Sequence, residues 1–178
     1  MLGIEDFFLK SIMTNPDFLS TGPVHNVNLL LPAFFDKVQK SILLYKQSYP
    51  AQDIFMLETY RSNTLQEIYF NRGASKLKKD GMHHFGIACD CMFVIDGQRT
   101  FKGDVELLRR IHEFMGLTIL GMWDSLHVQY IPVGEQQALR AAVTGRIATF
   151  QKESGLPVTS EPDGATITEA TNQFPRWA

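Results

Sequence analysis

Apolar and polar positions recur along this chain with two periods, one helical and one alternating, and together they divide it into short elements. Residues 3–13 place apolar side chains at helical spacing, interrupted by Lys10, and predict a short amphipathic helix. Residues 14–28 are broken by Asn15-Pro16, Gly22-Pro23 and Asn26 and read as loop, with His25 facing solvent. From Pro32 to about Ser48 a second helix is expected, with Phe34, Phe35, Val38, Ile42 and Tyr45 on one face, Pro32 in the first turn and Pro50 as terminator. A strand over 54–57 runs into Glu58-Thr59-Tyr60-Arg61. Ser62 or Asn63 then caps a helix over 64–71 that stops at Gly73.

Residues 74–82 form a basic loop containing Lys76, Lys78 and Lys79. The clearest strand covers 87–95, followed by an Asp96-Gly97 turn and a hairpin partner at 98–101. A helix over 103–115 closes at Gly116. Two strands are expected at 118–122 and 127–131, then a helix over 135–152 with Leu139, Val143, Ile147 and Phe150 inward. Residues 155–178 are rich in Gly, Pro, Thr and Glu and read as an irregular tail, its end tacked down by Trp177. The expected class is α+β: one domain with a small, mostly antiparallel sheet and helices packed around it.

Composition narrows the function. The chain has 178 residues, 44% hydrophobic and 20% charged, as in soluble globular domains. A net charge of −2 gives no reason to expect nucleic acid or an anionic membrane as partner. No apolar run approaches the roughly 20 residues that span a bilayer. The opening Met-Leu-Gly-Ile-Glu-Asp lacks the basic start of a secretory signal, so synthesis in the cytoplasm without a signal peptide is expected. Cys89 and Cys91 are next-but-one neighbours on a strand and read as buried thiols, not as a disulfide framework.

Within this pattern Asp90 is out of place, a carboxylate in the middle of an apolar strand. It is costly to bury unless paired or bound to a metal. Alternation turns Cys89 and Cys91 to one side and Ala88, Asp90 and Met92 to the other. Asp124 and His127 form a second pair, three apart where a turn enters a strand. With His83, these residues supply two histidines and a carboxylate, the donor set of a hydrolytic zinc site that keeps one position open. A further carboxylate beside it is what such a site uses as general base. On spacing alone, a buried histidine satisfied by a carboxylate explains the same residues. Arg61 likewise reads equally as a salt-bridge partner of Glu58 or Glu67, and His112 as a core histidine of its helix.

The run His83-x-x-Gly86-x-Ala88-x-Asp90 resembles the signature of the zinc D-alanyl-D-alanine carboxypeptidases, the VanY/VanX-like family that includes phage endolysins cutting between L-Ala and D-Glu. Tyr60-Arg61-Ser62, with Gln66 and the stretch from Tyr69 to Gly73, is similar to that family's Gly-Tyr-Arg-Ser…Gln…Tyr…Gly segment. Gly116-Leu117, Trp123 and Asp124-x-x-His127-x-Gln129 resemble its closing block, and the order agrees across about residues 30–131. The resemblance implies one Zn2+ per chain, held by His83, Asp90 and His127. It makes Asp124 the general base and Arg61 the cation facing the scissile carbonyl. It puts Tyr60, Ser62, Gln66 and His84 near the substrate. Gly81 stands where the family has serine, His84 where asparagine is common, and Leu126 where it has proline.

The expected function is therefore a zinc peptidase hydrolysing an amide of the peptidoglycan stem peptide, as an endopeptidase or a carboxypeptidase. A monomer is expected, acting on cell wall as a phage endolysin or an injected effector. Two alternatives stand beside it: a non-catalytic wall-binding or interaction protein with structural zinc, and a zinc hydrolase of small dipeptides.

Overall fold

The structure, a computed structural model, describes residues 3–174; Trp177 lies outside the described residues. The chain opens with α1 (Ile4–Phe7), which widens into a π-helical turn over Phe8–Ile12, and together they bury Phe7, Phe8, Leu9 and Ile12. Two 3₁₀ turns, Pro16–Leu19 and Val27–Leu29, lie in the expected loop, and each is started by an asparagine whose side chain accepts from a backbone N–H. Helix α2 (Pro32–Ser48) buries Phe34, Val38, Ile42 and Tyr45, four of the five residues on its expected face.

Among the described residues the sheet has five strands: β1 (Asp53–Glu58), β2 (Ala88–Ile95), β3 (Gln98–Thr100), β4 (Thr118–Ile119) and β5 (His127–Gln129). Their order is β1-β2-β5-β4, with β3 also on β2, and every pairing is antiparallel. β1 occupies one edge of β2; β5 and β3 share the other edge at opposite ends. The class is thus α+β with a small open antiparallel sheet. On β2 the alternation holds: Cys89, Cys91 and Phe93 are fully buried in the core, while Asp90 and Met92 are half-buried on the opposite face. Phe93 stacks on Tyr45 of α2 with ring centroids 5.6 Å apart, so the inner face of the sheet packs on that helix. A third helix of the first half, α3 (Asn63–Asn71), begins at Ser62, whose Oγ accepts from Leu65 N at 3.0 Å. Helix α4 (Val105–Phe114) is capped by Asp104, whose carboxylate accepts from Leu107 N, and adds Leu108 to the core.

β1 carries an irregularity with consequences for the site. Met56 pairs with Cys91, but Glu58 pairs with Asp90, so two residues of β1 oppose one of β2. In regular pairing Glu58 would follow Met56 onto the core face. The bulge turns it to the face that carries Asp90.

Helix α5 (Gln136–Glu153) closes the core with Leu139, Val143, Ile147 and Phe150. The tail departs from expectation, because residues Gly164–Gln173 form a helix, α6. Threonine and glycine give this segment weak intrinsic helicity. Its formation follows from tertiary contacts. The Asp163 carboxylate caps Thr166 N and Thr166 Oγ1, and Thr166 and Ala170 are buried. Gln151 of α5 binds the same region, donating to Thr159 Oγ1, Glu161 O and Thr166 Oγ1 and accepting from Thr159 N and Ser160 N. No helix among the described residues is long and apolar enough to cross a membrane.

Candidate metal centre and its cleft

Sheet register assembles the first half of the site. Asp90 of β2 lies directly opposite His127 of β5, and residues opposed in an antiparallel pair point to the same face. The bulged Glu58 of β1 lies opposite Asp90 on its other side. Three side chains from three strands therefore form one row across the sheet. His83 arrives from outside it, on a 3₁₀ turn Met82–Phe85 that ends in the left-handed Gly86 at φ 67°. A Cβ at Gly86 would lie 2.1 Å from Leu29 O, so the turn seats tightly against the preceding segment, which Leu31 N also binds through Gly86 O at 2.8 Å. The glycine of the His-x-x-Gly run is there for backbone geometry.

His83 Nε2 lies 3.2 Å from His127 Nδ1 and 3.4 Å from Asp90 Oδ1, and His127 Nδ1 lies 3.1 Å from Asp90 Oδ1. A tetrahedral ion with bonds of 2.0–2.1 Å separates its ligands by about 3.3–3.4 Å. The three atoms already stand close to that spacing. Gln129, next-but-one to His127 and so on its face, has its Oε1 3.3 Å from His127 Nε2. That oxygen only accepts, so Nε2 carries a proton, and in the neutral ring it would be Nδ1 that offers its lone pair to a metal. Without a cation, protons on the two imidazoles have to lie between these nitrogens and the carboxylate; a cation bound by the three atoms would replace them. The three residues fit a metal ion and can hold one.

Charge follows the same geometry. Burial pushes the Asp90 carboxyl up, but the His83 charge and the His127 and His83 hydrogen bonds outweigh it and hold it well below the usual carboxylate range. Burial pushes His127 down, and its bond to Asp90 and the charges of Asp90 and Asp124 overcome that and raise it. Asp124, on the turn Met122–Asp124, brings Oδ2 to 4.0 Å from His127 Nδ1 and remains partly exposed.

Arg61 follows β1. Its Nε donates to Glu58 Oε2 at 3.0 Å, its Nη2 to the same oxygen and to Asp90 Oδ2 at 3.4 Å, and its Nη1 to Gln66 Oε1 at 3.3 Å. The guanidinium lies over the Tyr69 ring, 5.0 Å from its centroid. A guanidinium has five N–H groups, so one on Nη1 is left for a ligand. A cleft of about 620 Å³ opens in front of these groups, lined by Arg61, Gln66, His83, Asp90, Asp124 and His127 among others.

Tyr60, Ser62 and His84 are not part of this cleft. Tyr60 is fully buried and its hydroxyl donates to Phe18 O at 2.9 Å. His84 Nδ1 lies 3.3 Å from the Tyr60 oxygen, and the ring also bonds the Arg61 backbone. Burial pushes the His84 pKa down to about 4, so the ring is neutral at pH 7. Ser62 caps α3 and donates to Ser20 O. Their polar atoms are taken up inside the protein, and none of the three lines the cleft. Gln66 does line the cleft, but its amide is held by Arg61, Ser75 and Leu77. Cys89 and Cys91 are free buried thiols. Glu58 and Gln129 take part in the site without having been assigned to it. Glu58 is readable only once the bulge is known, whereas Gln129 had a signal in its spacing from His127.

No family model matches this chain, and no curated protein matches it in sequence. Among solved structures, it is similar to the crystal structure of Serratia marcescens L-Ala D-Glu endopeptidase ChiX, with a TM-score of 0.46 and 18% identity, covering 65% of this chain and 94% of that one.

Proposed function

We propose that this protein is a zinc-dependent peptidase that hydrolyses an amide bond of the peptidoglycan stem peptide. The observation that carries it is the convergence of His83, Asp90 and His127 within 3.4 Å of one another at the floor of an open cleft, with a separate carboxylate, Asp124, at its edge. A structural site closes its coordination with four protein ligands, whereas three ligands facing a cleft suit catalysis. The stem peptide is chosen on the co-ordered motifs around Arg61, His83–Asp90 and Asp124–His127.

Zinc held by these residues supplies Lewis acidity and brings the pKa of water to about 7. Asp124, partly exposed and free of direct hydrogen bonds to the three ligands, accepts a proton from the attacking water and returns it to the leaving amine. Arg61 is held by Glu58 and Tyr69 and directs its remaining N–H toward the oxygen of the scissile carbonyl. Gln129 holds the His127 tautomer.

Zinc content and digestion of purified peptidoglycan, with mass analysis of the products, test this on wild type, His83→Ala and Asp124→Ala. We expect one zinc per chain in wild type and Asp124→Ala and its loss in His83→Ala. Wild type is expected to cleave, Asp124→Ala to cleave about 10²–10⁴-fold more slowly, and His83→Ala not to cleave. Intact stems and cross-links after digestion with zinc-loaded wild type would refute the proposal.

A further inference from the structure

The basic loop after α3 is more ordered by its contacts than its sequence suggests. Gln66, buried in α3, donates from Nε2 to Ser75 Oγ and to Leu77 O, both at 2.7 Å. These are the residues on either side of Lys76. Leu77 N also donates to Ser75 Oγ at 3.1 Å, and Ala74 N to Tyr69 O at 2.8 Å. Lys76 thus sits at the apex of a pinned turn in the cleft wall. Its ammonium lies 5.6 Å from the ring centroid of Trp123, an exposed residue next to Asp124.

The cations around it are already matched. Lys78 pairs with Glu67 at 3.1 Å, and Lys79 with Glu161 at 3.3 Å. Arg61 is held by Glu58 and Asp90. Among the described residues Lys76 has a π face but no carboxylate within ion-pair distance. With a divalent ion bound, the carboxylates of Glu58, Asp90 and Asp124 balance that ion and Arg61, which leaves the Lys76 charge uncompensated.

The geometry points to Lys76 as a carboxylate-binding residue of the cleft. Its ligand is a substrate carboxylate next to the scissile amide, docked on the ammonium beside the Trp123 ring. Gln66 is the positioning residue that holds the turn. This specificity rests on the peptidase function proposed above. A carboxylate meeting a lysine on a tryptophan gains an ion pair in which the ring limits hydration on one side.

The test uses two synthetic stem peptides, identical except that the carboxylate nearest the scissile amide is free in one and a primary amide in the other. Dissociation constants are measured by calorimetry on zinc-supplemented Asp124→Ala protein, alone and combined with Lys76→Ala or Lys76→Arg. We expect the free acid to bind about 3- to 10-fold more tightly than the amide. Lys76→Ala should abolish that preference without changing affinity for the amide peptide, and Lys76→Arg should keep it. Equal affinity for the two peptides, absence of binding by either, or a preference that survives Lys76→Ala overturns the assignment. Wild-type hydrolysis of the same peptides separates the two proposals. Cleavage without acid preference in binding removes only the Lys76 subsite, whereas acid-selective binding without cleavage supports the subsite and removes the peptidase.

Discussion

His127 presents Nδ1 to the candidate metal position because Nε2 is occupied by Gln129, which is itself fixed by donating to Ile131 O at 2.6 Å and accepting from Gln136 Nε2 at 3.2 Å. Without that partner the ring can take either tautomer or rotate. Gln129→Ala is therefore expected to weaken zinc binding by about 10- to 100-fold, as removal of such outer partners does. Competition against a chelator of known affinity would show it, and an unchanged affinity would contradict it. Residue by residue, the three converging donors were legible in sequence, since a carboxylate in an apolar strand is costly unless a cation or a hydrogen-bonding partner meets it. The neighbours were less so. Tyr60, Ser62, His84 and Gln66 all lie within motif-like runs, but a motif shows that a side chain is needed without showing which way it faces. Three of them turn inward to Phe18, Ser20 and one another.

Elements whose period is strong in sequence were found where expected: α2, β2, α4 and α5. α6 was not, because its threonines and glycine carry no helical preference and its stability comes from Gln151 and the Asp163 cap. No local pattern encodes a contact between α5 and a segment that comes after it across a loop. Gln151 is fully buried and makes hydrogen bonds through both ends of its amide. Gln151→Ala leaves several of those groups without partners and should cost about 2–4 kcal/mol. Hydrogen exchange should then quicken across residues 159–173 while β2 amides keep their protection. Uniform loss of protection throughout the chain would show that the tail is not a separable unit.

At the scale of the whole molecule, the ligands come from a turn, a central strand and a short strand near the other edge of the sheet, so an ion at this position ties residues 83, 90 and 127 together. Binding to the folded chain alone contributes about 2.7 kcal/mol when zinc is at about 100 times its dissociation constant. For a protein of this size that raises the melting temperature by roughly 5–10 °C. Calorimetric scans with zinc and after chelation would show the rise and its reversal, and superimposable scans would argue against a site in the folded protein. The bulge in β1 sets a limit on change at the same scale. Loops of this chain can gain or lose residues with little effect on the sheet, but β1 obeys a rule of parity. Were β1 paired regularly at its present length, Glu58 would fall opposite Cys89 on the core side, leaving Arg61 without its anchor and placing an unpaired acid among apolar groups. The side that Glu58 takes is therefore set by how the strand is spaced after Met56 and not by which residue fills position 57: substitutions of Leu57, or even its loss, should keep Glu58 opposite Asp90, whereas straightening the bulge at full length should not.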